Sequence, residues 1–111
     1  MDSSLFLCIF EQKYQTTMIR INCFFQAAAG EQTMERALEA AKSLTAKSLQ
    51  HEGCVAYDVF CSATRKDIFM ICETWRDQAA LDKHSATPEF AEYVGIIQQN
   101  GKLKIESFQF A

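Results

Sequence analysis

Glu73 is the residue in this chain whose position most strongly indicates chemistry. It interrupts an apolar run at residues 68–75 and lies two positions before the only tryptophan. Burying an unpaired carboxylate costs several kcal/mol or raises its pKa, so Glu73 needs a partner, a strand end or a pocket. It either orients His84 or forms an ion pair with Arg65 or Arg76, and the ion pair is the more conservative interpretation.

His84 is the candidate for moving protons, because the unperturbed pKa of histidine lies near neutrality. It comes just before a break between two helical segments, where Thr87-Pro88 restarts a helix, so its side chain can point back over a sheet. The alternative is a surface histidine near a helix end. His51 is expected to satisfy only the carbonyl groups at the end of the preceding helix.

These residues require a particular set of elements. Residues 68–75 are rich in strand-forming types and are too few for an ordinary helix, so they predict a buried strand. Its alternating positions place Phe69, Ile71, Glu73 and Trp75 on one face. Both faces are largely apolar, and therefore both must be covered.

The remaining elements follow from periodicity and capping residues. Strands are predicted at residues 19–26, 54–61 and 102–110, a long helix at about 31–50, a short helix capped by Asp77, and a last helix from Pro88 to Asn100-Gly101. In the last strand Leu103 and Ile105 are out of phase with Phe108 and Phe110, which predicts a bulge or a change of partner near Glu106.

The predicted order is strand, helix, strand, strand, helix, strand. This is the α+β, ferredoxin-like βαββαβ arrangement with an antiparallel sheet and both helices on one face. The same face of a second subunit is the most economical cover for the other side, so we predict a homodimer. Residues 1–17 do not fit the pattern and are interpreted as a leader or extension, or alternatively as an extra strand at residues 5–10.

Composition limits the classes of protein that fit. With 111 residues, 49% of them hydrophobic, a single domain is expected, and a net charge of −3 gives no basic face for nucleic acid. Five cysteines without a Cys-x-x-Cys pair indicate a reducing interior and no metal site. No run is long enough to span a membrane and no secretory signal is recognisable, so a cytoplasmic protein is predicted.

An ordered set of short motifs resembles the antibiotic biosynthesis monooxygenase family, whose members include quinol monooxygenases and form dimeric α+β barrels. The likeness covers residues 18–110, so we treat residues 18–111 as one such domain. The motifs, in chain order, are Glu52-Gly53-Cys54, Tyr57, Glu73-x-Trp75, Ala80-Leu81, His84 and Phe90.

The resemblance implies oxygenation of an electron-rich dihydroxyaromatic substrate by O₂ without metal, flavin or haem, because an ionised substrate can itself pass an electron to O₂. No cofactor is therefore expected, and residues 90–99 lack the histidine that haem-degrading relatives use. A cavity between sheet and helices would be the site. The expected catalytic residues are His84, Tyr57 and Glu73, and the expected substrate-binding residues are Asn22, Phe24, Trp75, Phe90 and Tyr93.

More conservative interpretations stand beside these roles. Trp75 is either a wall for an aromatic substrate or a core residue, and Tyr57 either donates a hydrogen bond to substrate or only buries its ring. The competing functions are a non-catalytic dimeric barrel that binds a small molecule or serves a stress response, and an isomerase acting on a phosphorylated sugar. Convergence of His84 and Tyr57 on one cavity beside Trp75 would favour the oxygenase.

Overall fold

The structure, a computed structural model, describes residues 17–110 of the chain. Nearly all of the predicted leader at residues 1–17, including the alternative strand at residues 5–10, lies outside the described residues. Within them the elements are β1 (Met18–Ala27), α1 (Thr33–Ser48), β2 (Cys54–Cys61), β3 (Ile68–Trp75), α2 (Gln78–Ser85), α3 (Pro88–Gln99) and β4 (Gly101–Phe110).

The strands form one antiparallel sheet in the order β2-β3-β1-β4. This strand order and connectivity confirm the ferredoxin-like α+β fold. Glu73 on β3 is paired with Ile21 of β1 on one side and with Tyr57 of β2 on the other. The odd-numbered residues of these three strands therefore share the face that packs on the helices. The core lies between that face and the helices.

The two short helices begin where the capping residues predict. The Asp77 side chain accepts a hydrogen bond of 2.8 Å from the backbone N–H of Ala80, and Thr87 accepts one of 3.2 Å from the N–H of Phe90. Each cap satisfies a donor that the first helical turn leaves free. Because α2 ends at Ser85 and α3 restarts at Pro88, His84 is held in the last turn of α2 over the sheet.

The tight turn that connects α1 to β2 packs closely against the start of α2. Gly53 has a φ of 80°, a conformation that L side chains rarely adopt, and a Cβ at this position would collide with Ala80. The Gly53 carbonyl also accepts a 2.8 Å hydrogen bond from the backbone N–H of Arg76. This close approach brings residue 51 and its neighbours next to α2.

The predicted bulge or change of partner near Glu106 is wrong. β4 pairs with β1 in unbroken register from Gly101 opposite Ala27 to Phe110 opposite Met18. Leu103 and Ile105, in the first half of β4, lie on the same face of the sheet as the helices. Phe108 and Phe110, in the second half, lie on the opposite face. The sheet's register shift lies in β2 instead, between Cys54 and Ala56.

The face away from the helices, called the open face below, carries large apolar side chains on even-numbered positions of the strands. Phe60 and Phe108 are each 51% exposed in the single chain, and Phe110 is 40% exposed. The homodimer that would cover this face remains a prediction. None of the helices within residues 17–110 is both long and apolar enough to cross a membrane.

Candidate functional site

A cavity of about 180 Å³ lies between the sheet and the helices. Its walls are mostly apolar and come from all four strands and all three helices. The polar side chains that reach it are those of Cys23, Tyr57, Glu73 and Ser85. A small apolar enclosure with a few polar groups is the usual form of a site for a small molecule.

Glu73 is the buried acid of this cavity. It is 5% exposed, its Oε1 accepts a 2.7 Å hydrogen bond from Nε1 of Trp75, and its Oε2 lies 3.9 Å from Sγ of Cys23. Burial disfavours the charged carboxylate and raises the pKa to about 7, although the Trp75 hydrogen bond acts in the opposite direction. Glu73 can therefore both accept and donate a proton near neutral pH.

His84 lies directly behind Glu73. It is 1% exposed, and its ring packs over Trp75 with the ring centroids 4.3 Å apart. Its Nε2 is 4.0 Å from Glu73 Oε1 and has no hydrogen-bond partner among the described residues. Burial, followed by the proximity of His51, lowers its pKa to about 4, so the imidazole is neutral at physiological pH.

The other ring nitrogen of His84 is engaged by a residue that was not predicted to belong to the site. Nδ1 of His84 lies 2.9 Å from Nδ1 of His51, and Nε2 of His51 lies 2.8 Å from Oε2 of Glu89. The prediction that His51 serves only the end of the preceding helix is therefore wrong. The turn containing Gly53 brings the His51 side chain against α2 and α3.

The predicted ion pair of Glu73 with an arginine is also wrong. Arg65 bonds Asp67, with Nη2 2.7 Å from Oδ2, and the Nε of Arg76 is 3.1 Å from Oδ2 of Asp77. Both arginines stand near strand ends at the surface, where they pair with local acids. Among the groups facing Glu73, Trp75 supplies the hydrogen bond and His84 the nearest titratable nitrogen.

Three further predicted residues lie around the site in different ways. Tyr57 and Phe90 line the cavity. Trp75 does not: it is fully buried and contacts both Glu73 and His84, so its predicted role as a wall for the substrate is wrong and the alternative, a core residue, is correct. Burial and the nearby Glu73 raise the pKa of Tyr57, so its phenol remains protonated and can donate a hydrogen bond. His84 and Tyr57 have ring centroids 5.9 Å apart, but only Tyr57 lines the cavity. The predicted convergence of both side chains on the cavity is therefore wrong, because the ring of His84 lies behind Glu73 and Trp75.

The prediction that Asn22, Phe24 and Tyr93 line the cavity is wrong. Asn22 and Phe24 are opposite Cys72 and Met70, so they belong to the open face of the sheet. Their neighbours Ile21 and Cys23 occupy the cavity, one residue out of phase with the prediction. Tyr93 instead borders a surface groove between α1 and α3, beside Glu35 and Arg36.

Residues 17–110 contain no group of three or more His, Cys, Asp or Glu side chains arranged to hold a metal ion. The four cysteines in this range, Cys23, Cys54, Cys61 and Cys72, are free thiols. The chemical groups of the site are the carboxyl of Glu73, the rings of His84 and His51 behind it, and the apolar walls of the cavity.

Comparisons with known proteins agree with this architecture. A solved structure from Bacteroides thetaiotaomicron, described as a conserved protein of unknown function and possible oxidoreductase, is 53% identical, with a TM-score of 0.80 over 85% of this chain and 98% of its own. A Bacillus subtilis protein named "Putative monooxygenase YcnE" is 35% identical over 54% of this chain and 63% of its own. The uncharacterized protein sll1783 of Synechocystis is 40% identical over 42% of this chain.

The matched regions span 63% of YcnE and 32% of sll1783, so each covers less than two thirds of the curated relative. The family model described as antibiotic biosynthesis monooxygenase matches residues 18–95, which include β1 to β3, α1, α2 and most of α3. These are the elements that carry Tyr57, Glu73, Trp75 and His84. The chain therefore belongs to the antibiotic biosynthesis monooxygenase family.

Proposed function

We propose that this protein is a monooxygenase that uses O₂ to oxidise a quinol or a related small hydroxyaromatic molecule, without a metal, flavin or haem cofactor. The observation that carries the proposal is the carboxyl group of Glu73, which lies in an apolar cavity and has its pKa raised to about 7. Membership of the monooxygenase family supports the reaction class.

Glu73 is suited to the proton transfer that starts such a reaction. A phenolic hydroxyl has an ordinary pKa of about 10, and a base whose own pKa lies near the working pH removes such a proton efficiently. The resulting anion is electron-rich and can pass one electron to O₂. The apolar walls exclude bulk water, which protects the radical pair while the carbon–oxygen bond forms.

The overall reaction balances with O₂ as the only oxidant. A quinol and O₂ give a hydroxylated quinone and water: one oxygen atom is added to the ring, and the other leaves as water after the peroxide O–O bond breaks. The two protons of that water balance the two hydrogens that the quinol loses, and Glu73 accepts the first proton that the substrate gives up. Tyr57 can donate a hydrogen bond to a substrate oxygen from the wall of the cavity.

The cavity volume favours a substrate with a single ring. An engineered apolar cavity of about 150 Å³ binds benzene, and the cavity here is about 180 Å³. Phe90 contributes an aromatic wall. None of the described residues that line the cavity is cationic, which does not favour the alternative of an isomerase acting on a phosphorylated sugar.

A non-catalytic protein that binds a small apolar molecule is the second candidate. The enclosed, mostly apolar cavity favours it, since such a cavity binds a ring without any chemistry. The role of Glu73 distinguishes the two candidates. In an oxygenase the carboxyl of Glu73 removes a proton, whereas in a binding site it only hydrogen-bonds a hydroxyl of the ligand, so turnover separates the two candidates.

The test is oxygen consumption by metal-stripped protein with a panel of single-ring and fused-ring quinols. We expect consumption above the rate of autoxidation, greatest for a single ring, and a loss of about 100-fold or more in kcat for Glu73→Gln. Glu39→Gln, the same change at an exposed position of α1, should leave the rate unaltered. Binding of quinols without oxygen consumption would instead support the second candidate.

A further inference from the structure

A path of titratable side chains runs from the cavity to the protein surface. It leads from Glu73 to His84 (Oε1 to Nε2, 4.0 Å), from His84 to His51 (Nδ1 to Nδ1, 2.9 Å), and from His51 to Glu89 (Nε2 to Oε2, 2.8 Å). The side chains along the path are 7%, 1%, 15% and 30% exposed, in that order. The inner end is therefore dry, and the outer end reaches water.

We propose that His84, His51 and Glu89 form a proton relay that connects the carboxyl group of Glu73 with solvent while a substrate fills the cavity. The purpose of the relay rests on the proposed oxygenase, in which Glu73 accepts a proton from the substrate. The relay passes that proton to solvent and, running in reverse, supplies one proton for the water that forms when the O–O bond breaks. Neither His84 nor His51 lines the cavity, so both act through Glu73 as positioning and relay residues.

The contact between the two Nδ1 atoms defines the relay chemistry. One of the two nitrogens must donate a proton and the other must accept it. In the first state His84 donates from Nδ1 to His51, whose Nε2–H donates to the Glu89 carboxylate, and the lone pair of His84 Nε2 faces protonated Glu73.

In the second state His84 has gained a proton at Nε2 and lost one at Nδ1, so its ring stays neutral. Glu73 gives its proton to Nε2 of His84, and Nδ1 of His84 gives its proton to Nδ1 of His51. His51 is then an imidazolium between His84 and the Glu89 carboxylate, which stabilises the charge. Release of one proton from the His51–Glu89 pair to water completes the transfer, and the number of protons is conserved in each step.

The environment of His84 favours a neutral ring that changes its tautomer over a ring that becomes an imidazolium. Burial keeps the pKa of His84 at about 4, so the transient state carries its charge on His51 rather than in the core. The other titratable groups near the path are Cys23 on β1, Cys54 and Tyr57 on β2, and Lys47 on α1. Burial raises the pKa of both thiols and of the phenol, so these three groups remain neutral.

The unpartnered nitrogen of His84 is the feature that a purely structural histidine would lack. Leaving a buried ring nitrogen without a hydrogen bond is unfavourable, yet Nε2 of His84 faces the Glu73 carboxyl without bonding it. The gap of 4.0 Å is about 1 Å longer than a hydrogen bond, so proton transfer requires a shift of that size in Glu73 or His84. A proton acceptor kept free beside an acid is what a relay requires.

The first test needs no turnover. The chain contains two histidines, so ¹⁵N-histidine labelling of the full-length protein gives NMR signals from two rings only. As the pH rises through the titration of Glu73, we expect Nε2 of His84 to change from bare to proton-bearing. Glu73→Gln should abolish this change, and Glu92→Gln on α3 should retain it. An identical pH course for His84 in the wild type and in Glu73→Gln would overturn the relay.

The second test uses His51→Gln, which keeps a hydrogen-bonding side chain but cannot titrate. We expect kcat to fall about tenfold, less than the loss of the base itself, with KM within about twofold and partial rescue by added imidazole. Glu92→Gln should match the wild type. Wild-type kcat and pH profile in His51→Gln would overturn the relay. If the wild type oxidises no quinol, the proposed function fails, and the NMR experiment alone decides the relay.

Discussion

The two faces of the sheet use the same strands to create opposite environments. On the helix-covered face, Phe25 and Phe69 are fully buried, with ring centroids 4.6 Å apart, and the face also encloses Glu73. On the open face, Phe60 and Phe108 are half exposed in the single chain. Successive residues of β3 point to opposite faces, so neighbouring side chains lie in the two different environments.

The difference explains where chemistry can occur in this protein. Glu73 has its pKa raised because water is excluded on the covered face, while the neighbouring Thr74 on the open face simply accepts a 2.7 Å hydrogen bond from Nε of Arg20. The open face offers apolar area for association instead. The proposed acid–base chemistry therefore belongs to the covered face, and the predicted second subunit would bind to the open face.

The sharpest test of this contrast compares two phenylalanines on opposite faces. Phe69→Ala should lower the free energy of unfolding by about 3–5 kcal/mol, because it leaves a cavity beside Phe25. Phe60→Ala should cost less than half of that, because half of the side chain is already exposed. Denaturant titrations at low protein concentration measure both. If Phe60→Ala costs as much as Phe69→Ala, and its cost increases with protein concentration, then a second subunit already buries the open face under these conditions.

Glu73→Gln should change how stability depends on pH. The folded chain keeps Glu73 protonated up to about pH 7, whereas an unperturbed glutamate loses its proton near pH 4.5. The folded state therefore binds more protons in this window, so the free energy of unfolding falls as the pH rises, by about 3 kcal/mol in total.

Glu73→Gln removes this loss, so its stability relative to the wild type should rise between pH 5 and pH 8. Thermal unfolding at several pH values measures the difference, with Glu39→Gln as the control. A constant difference across the range would mean that Glu73 titrates normally in the folded protein.

A charge on the open face should separate the subunits of the predicted homodimer. Phe108→Asp replaces an exposed aromatic side chain of that face with a carboxylate, which a bound second subunit would desolvate. Although Arg20 lies opposite it on β1, we expect the dimer dissociation constant to rise about 30-fold, or about 2 kcal/mol. Light scattering across a dilution series measures it. Ser107→Asp, one residue away on the opposite side of β4, is the matched control. An unchanged dissociation constant in Phe108→Asp would place the interface elsewhere.

The smallest effect is expected at the polar pair on the open face. Thr74→Val keeps the shape of the side chain but removes the acceptor of the Arg20 hydrogen bond, which should cost about 1 kcal/mol. A double-mutant cycle with Arg20→Gln isolates the interaction. A coupling energy near zero would show that solvent replaces this hydrogen bond.

Much of the fold was predictable because local rules dominate it. The alternation in β3 and the helix caps at Asp77 and Thr87 each act over a few residues, and the structure confirms them. The positions of Tyr57, Glu73 and Phe90 around the cavity follow from the same alternation and from the helix start. The error at Asn22 and Phe24 was one of phase. The odd-numbered residues of β1 are all apolar and face the helices, whereas its even-numbered residues include Arg20 and Gln26, so the alternation itself identified the covered face.

The amino-acid sequence by itself determined the order of elements, the burial of an acid beside Trp75 and the family resemblance, because each depends on residue types within a short window. Which groups meet that acid depends on how distant parts of the chain pack together. His51 and His84 are 33 positions apart and His51 and Glu89 are 38 apart, and nothing local links them. Their contacts depend on how α2 and α3 pack against the end of α1, which is a property of the folded chain.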